Sequence, residues 1–255
     1  MVATSLTLCA LAGLPLINPG DDLGALLIAA LRRTHIVPQD KDILVVAQKV
    51  VSKAEGRLVD LKAVVPSARA IAIAKEVNKD ARLVEIILSE SNQIVRQRRD
   101  VLIVVHRLGF IMANAGVDQS NVAGEDDDRA LLLPNDPDAS AAALKTRLDR
   151  EFGVDFGVII NDSFGRPWRF GVVGVALGAA GLPAVRNMIG IPDLFGRKMR
   201  VTEVAVADEI ASAASLLMGQ GAEGQPAVHL RGLQWDGPVM PASTLLRPKD
   251  QDLFR

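Results

Sequence analysis

Residues 157–178, GVIINDSFGRPWRFGVVGVALG, constrain this chain more than any other stretch. Val158, Ile159 and Ile160 form an apolar run that reads as a buried strand. The run delivers an acid, Asp162, and a hydroxyl, Ser163, into a turn expected at Gly165, Arg166 and Pro167. Trp168 and Arg169 follow, and then small residues with glycine at 171, 174, 178 and 181. A buried strand with an abrupt polar end and a glycine-rich exit is how an α/β scaffold presents a reactive loop.

The remaining chain is long enough to build such a scaffold. Its 255 residues, 49% hydrophobic and 23% charged, allow one large domain or two small ones and argue against disorder. Basic and acidic residues number 29 and 30, a net charge of −1. That balance supplies no basic field for nucleic acid or a membrane surface. Cys9 is the single cysteine, which excludes an intramolecular disulfide and a cysteine zinc site. The apolar N-terminus has no Lys or Arg before Arg32, so it lacks the positive start of a signal peptide. No run approaches the ~20 apolar residues of a membrane span. A soluble, cytoplasmic protein is expected.

Taken in order, a strand is expected over 5–10, followed by a rigid loop through Gly13, Pro15 and Pro19. Asp21 or Asp22 caps a helix ending near Arg33, with Leu23, Leu26, Leu27, Ala30 and Leu31 on one face. Residues 43–46 read as a buried strand. Residues 66–89 read as two helices broken near Asn78, 93–100 as a polar basic segment, and 101–105 as a strand. Acid and proline at 136–138 start a helix running to about Phe152. A strand over 201–204, a helix over 205–218 and a strand over 227–230 follow. The irregular alternation indicates mixed α+β architecture, in two compact subdomains with mixed sheets and not one doubly wound sheet.

Several constellations stand out. Lys49, Lys53 and Arg57 recur every four residues, as one basic stripe on a helix. A solvated face is the ordinary reading of such a stripe, and a phosphate patch after a buried strand is the other. Residues 219–224 spell G-x-G-x-x-G, but the order helix, loop, strand is wrong for a dinucleotide fold. The loop is either a phosphate nest or a glycine cap with a flexible turn. No P-loop is present. Asp118 and Asp162 each follow an apolar run; they are either a carboxylate pair for Mg²⁺ or Mn²⁺, or turn formers. His35, His106 and His229 are scattered, which disfavours a hydrolase triad.

Together these motifs resemble the coenzyme F420-0:L-glutamate ligases, or γ-glutamyl ligases. The similarity runs through 13–17 with 20–23, 50–57, 114–118 with 120–122, 132–138, 162–169, 201–210, 218–219 and 228–232, nearly the whole chain in order. The resemblance implies a GTP-dependent ligase that phosphorylates the lactyl carboxylate of F420-0. The amine of L-glutamate then attacks the acyl phosphate, releasing GDP and phosphate, and γ-linked glutamates are added after it. It also implies two divalent ions, Mg²⁺ or Mn²⁺, and a monovalent cation such as K⁺. Asp118 and Asp162 would be the catalytic acids and hold one metal, with Ser163 and Gln220 on the second. GTP would touch Leu14, Pro15, Leu16, Ile17, Gln48, Lys49, Lys53 and Asn121. It would also touch the loop Met218, Gly219, Gln220, Gly221, Ala222, Glu223, Gly224 and Gln225. This implication favours the phosphate reading of both the lysines and the glycine loop. Some relatives carry a C-terminal flavin domain; the chain ends at Arg255, so neither flavin nor oxidoreductase activity is expected. A homodimer of intertwined two-domain subunits is implied. Two competing readings are a non-catalytic GTP or GDP-binding regulatory module and a metal-dependent phosphohydrolase.

Overall fold

A five-stranded mixed sheet carries the site, and its strands come from both ends of the chain. The computed structural model describes residues 5–120 and 128–253. The chain opens with β1 (Thr7–Ala10), α1 (Leu23–Arg33), β2 (Ile43–Ala47) and α2 (Gln48–Ala54). Asp22 caps α1 by accepting from the Ala25 N–H, and the buried face is Leu23, Leu27, Ile28 and Leu31. A second group follows: β3 (Leu58–Asp60), α3 (Ala68–Val77), α4 (Ala81–Ser89), β4 (Ser91–Arg98), β5 (Val101–His106), β6 (Ile111–Ala113) and β7 (Arg129–Leu131). The chain then returns through α5 (Pro137–Phe152), β8 (Gly157–Arg166), β9 (Arg169–Ala180), β10 (Arg186–Asn187), β11 (Glu203–Val204), α6 (Val206–Met218) and β12 (Ala227–Arg231).

The large sheet runs β1-β12-β2-β8-β9. Its one parallel pair is β2 with β8; the others are antiparallel. That mixture is the expected α+β architecture and is neither a Rossmann nor a P-loop arrangement. Alternation along β2 and β8 divides the interior. Leu44, Val46, Val158 and Ile160 pack against α1 and α5, while Ile43, Val45 and Ile159 pack against α6. A separate core of Val84, Ile87, Leu102, Val104, Val117 and Leu132 belongs to the second group. Phe110, Met112, Leu133 and Leu177 join the two, Leu177 coming from β9. Among the described residues, no helix is long and apolar enough to cross a membrane.

Four expectations need correction. The turn expected at 165–167 falls one residue later, at Pro167 and Trp168, so Asp162 lies inside β8 and not at its end. Pro167 is confined to negative φ and Trp168 takes φ 65°, the sign pattern of a type II turn. Of the glycines after it, Gly174 and Gly178 lie in β9 as packing residues, while Gly171 faces open space. A Cβ at Gly174 would strike Ala211 and Ser215 of α6, and one at Gly178 would strike Pro137 of α5. They let two helices lie close against one strand. The basic stripe also divides: α2 ends at Ala54, and Arg57 lies beyond it. Arg57 there donates to Leu133 O (2.9 Å) and Glu90 (3.0 Å). Finally, the strand expected over 201–204 shrinks to Glu203–Val204, while the polar segment at 93–100 is largely the strand β4.

Candidate functional site

The parallel pair sets the site. β2 ends at Ala47, opposite Asn161, while β8 continues past it. Gln48 and Lys49 therefore leave the sheet beside Asp162. The Ala47 N–H donates to Pro226 O at 2.8 Å and the Leu11 N–H to Ala227 O at 2.9 Å. These two bonds bring the glycine loop and the 11–22 loop to the same edge. Met218 closes the group, its sulfur accepting from Asn161 Nδ2 at 3.3 Å.

Asp118 arrives from the second group. Paired backbone bonds with Leu131, 3.0 and 2.8 Å, fix its backbone. Just before it, Asn114, Ala115 and Gly116 have φ of 53°, 54° and 67° in succession. For Ala115, buried and with a Cβ, this is a strained conformation of the kind that clusters at functional sites. The Asp118 carboxylate accepts from the Ser120 N–H at 2.7 Å, from Ser120 Oγ at 3.0 Å and from Lys49 Nζ at 2.7 Å. Lys49 also donates to Ser120 Oγ at 2.7 Å.

The two acids are shifted in opposite directions. Burial opposes ionisation of Asp118, but Lys49 and the Ser120 N–H outweigh it and hold the carboxyl below its ordinary range. Burial pushes Asp162 up to about 6, with only the Ser163 N–H and the Lys49 charge working against it and Asp118 adding to the rise. Burial also lowers Lys53, with the charge of Lys49 beside it. Two carboxylates and two lysines thus share one cleft, with Lys49 paired to Asp118.

Asp162 and Ser163 are successive strand residues, so their side chains stand on opposite faces of the sheet. Ser163 pairs with Gly174, on the α6 face, and meets Asp162 through its backbone N–H. Gln48 is buried, its Oε1 accepting from Ser52 at 2.9 Å. In the 11–22 loop Ile17 is buried and Leu16 fully exposed; Arg33 holds the loop by donating to Gly13 O. Gly219 (φ 71°) caps α6, and the Gly221 N–H donates to the Glu223 carboxylate at 2.7 Å. Backbone N–H groups lower Glu223, so this loop is both a cap and a turn that already binds a carboxylate. Asn121 lies outside the described residues. Ser120 is the residue sequence reasoning passed over, although its place two residues after Asp118 was a signal.

The profile of the F420-0:γ-glutamyl ligase family matches residues 13–232. The chain belongs to this family. It is 47% identical to the coenzyme F420:L-glutamate ligase of Methanothermobacter thermautotrophicus over 98% of this chain and 99% of that protein. Similar proteins of the same name come from Methanopyrus kandleri, 45% identical over 94% and 93%, and Archaeoglobus fulgidus, 43% identical over 95% and 94%.

Among the described residues, no three His, Cys, Asp or Glu converge on one point. The donor set nonetheless fits one hard divalent ion, because Mg²⁺ takes one or two carboxylates and fills its remaining positions with phosphate and water. The Lys49 ammonium already contacts Oδ2 of Asp118 at 2.7 Å. A groove of about 820 Å³ opens beside Val175, the strand partner of Asp162. Phe164, Arg166, Val173, Asp208 and Ser212 line it, the last two from α6.

Proposed function

We propose that this chain is a GTP-dependent ligase that joins L-glutamate to the lactyl carboxylate of F420-0 and then adds γ-linked glutamates. The observation that carries the reading is the meeting of Asp118, Asp162, Lys49 and the glycine loop at one sheet edge in a member of this family. An oxygen of the acceptor carboxylate attacks the γ-phosphorus, its bond to the β-phosphate oxygen breaks, and GDP leaves. The glutamate amine next attacks the acyl carbon, phosphate leaves with the electron pair of the C–O bond, and the nitrogen sheds its proton to solvent.

Each residue has a task in this scheme. Lys49 and Lys53 neutralise the triphosphate, and the loop 218–225 turns N–H groups toward it together with 14–17, Gln48 and Asn121. Asp118 and Asp162 would hold a divalent ion, Mg²⁺ or Mn²⁺, with Ser163 and Gln220 as donors to a second; K⁺ is a candidate monovalent ion. When bound, the metal supplies positive charge to the transferring phosphoryl group. The groove beside Val175 receives the bulky acceptor.

The two cores are the two subdomains of one module, and it works in the cytoplasm as a homodimer. Trp168, Phe170, Leu194, Phe195 and Val201 are apolar and 84–106% exposed, which supports burial against a second copy.

Incubation with F420-0, GTP and glutamate, followed by mass analysis, tests the reading. Glutamylated product and GDP are expected only with all three substrates and a divalent metal. Phosphate release without glutamate would identify a phosphohydrolase, and nucleotide binding without product a regulatory module. Light scattering at twice the 27.2 kDa chain mass is expected for the dimer.

A further inference from the structure

Resting on the nucleotide reading of the glycine loop, we propose that Asn161 is a positioning residue for that loop. Its amide fixes where the loop leaves α6 and thereby sets the affinity for the nucleotide. Asn161 is 5% exposed and stands in β8 directly before Asp162, with its side chain on the other face of the sheet. There Nδ2 donates to Ser215 Oγ at 3.0 Å and to the Met218 sulfur at 3.3 Å. The two acceptors are three residues apart, on one face of the last turn of α6.

The orientation of the amide follows from its partners. A thioether has no proton to give, and the Ser215 hydroxyl already donates to Ala211 O at 3.0 Å. Both neighbours can only accept, so the NH₂ group faces them. Oδ1 points away from them, buried and without a donor among the described residues. The surrounding layer holds Ile159, Ala176, Ala211, Ala214 and Met218. A buried acceptor left unpaired in such a layer costs stability, and a leucine of the same branching would not incur that cost. What the amide supplies instead is direction, because it ties the end of a helix to one row of the sheet.

The glycine loop stands on that row. Asn161 pairs with Ala47 of β2, whose N–H donates to Pro226 O at 2.8 Å. Met218 precedes the loop and Pro226 follows it, so its two ends are tied to adjacent strands, roughly 4.7–4.9 Å apart. The sheet end of the first tie is covalently joined to Asp162. Glycine at 219, 221 and 224 leaves the loop little stiffness of its own. The position of its N–H groups relative to Asp162 therefore depends on these ties. Any residue at 47 other than proline supplies the backbone tie to Pro226; the tie to Met218 needs the side chain at 161.

GDP binding by titration calorimetry, set beside thermal midpoints, separates positioning from support. Asn161→Leu should weaken GDP binding about tenfold, the worth of one to two hydrogen bonds. Its midpoint should hold, because Ser215 keeps its bond to Ala211 O and no buried donor is left unpaired. Ser215→Ala should weaken GDP binding about threefold, and the double variant no more than Asn161→Leu alone. Ser212→Ala is the control: Ser212 Oγ donates to Gly174 O at 2.7 Å from earlier on the same helix, away from the root of the loop. Ser212 also lines the groove, so the comparison is made on GDP and not on turnover. Its midpoint should fall while GDP affinity changes about twofold at most. Native GDP affinity in Ser215→Ala, or in folded Asn161→Leu, would overturn the proposal, as would equal losses in Ser212→Ala and Ser215→Ala. Failure of the native protein to bind GDP would remove the nucleotide reading itself, and this inference with it.

Discussion

Glu90 and Asp162 are both withdrawn from solvent, and the fold pushes them in opposite directions. Glu90 is lowered to about 2, with His106 the leading cause, burial opposing, and Arg107 and Arg57 adding to the fall. Arg57 and Arg107 each donate to it at 3.0 Å. His106 accepts the Leu108 N–H on Nδ1, so its proton sits on Nε2, 3.5 Å from Glu90. Asp162 has no such ring and rises to about 6 through burial. A carboxylate surrounded by donors holds structure together. One left short of donors is available to a ligand, and the fold accepts that at some expense in stability.

Removing the under-bonded acid gives the largest expected effect. Asp162→Asn exchanges a carboxylate for a neutral amide at the centre of the site. Product formation should fall at least about 100-fold, because charge stabilisation in phosphoryl transfer is worth several kcal/mol. Thermal stability should hold or rise, since a carboxyl raised above its unfolded value destabilises the fold at neutral pH. Near-normal turnover, or a fall in melting temperature of many degrees, would place Asp162 with Glu90 among the structural acids.

Glu90→Gln is the reciprocal test, and its effect belongs in stability. The shift from 4.5 to about 2 corresponds to roughly 3 kcal/mol, which partial hydration of the arginines reduces to about 2 kcal/mol. The folded value is depressed, so this stabilisation is complete above about pH 4.5 and disappears as pH falls through about 2. Denaturant titrations should therefore separate native from variant at pH 7, with the gap narrowing toward pH 2. Specific activity of the folded variant should remain near native. A constant gap across pH would mean that packing, and not charge, is what Glu90 contributes.

The sequence carried much of this contrast, but unevenly. Helices with plain caps were legible: α1 begins after Asp22 and α5 after Asp136 with Pro137 in its first turn, ending at Gly153 with φ 70°. β2 and β12 were legible as short apolar runs. β4 was not, since Ser91-Asn92-Gln93-Ile94-Val95-Arg96-Gln97-Arg98 has two apolar residues and register shifts that blur its alternation. The even spacing of Lys49, Lys53 and Arg57 concealed a division of labour. Only tertiary structure shows that Arg57 turns to Glu90 while Lys49 turns to Asp118. Local spacing records which residues share a helix face, not which distant acid each will meet.

The glycines of β9 misled for a related reason, and they supply the smallest prediction. Glycine in a sequence signals freedom, yet Gly174 and Gly178 are buried where helices press on the strand. An acid short of donors stays in place only if its strand cannot retreat toward solvent, and this packing holds β9, and through it β8, against α5 and α6. Gly178→Ala should destabilise the protein by about 1–3 kcal/mol through overpacking, with activity falling as β8 shifts. Gly165 lies on the same hairpin beyond Asp162 with open space around it, and Gly165→Ala should change stability by less than about 0.5 kcal/mol. Denaturant midpoints measured on the two variants decide the matter. Equal effects would mean that the hairpin yields as one flexible loop, and the low donor count at Asp162 would then lose its structural support.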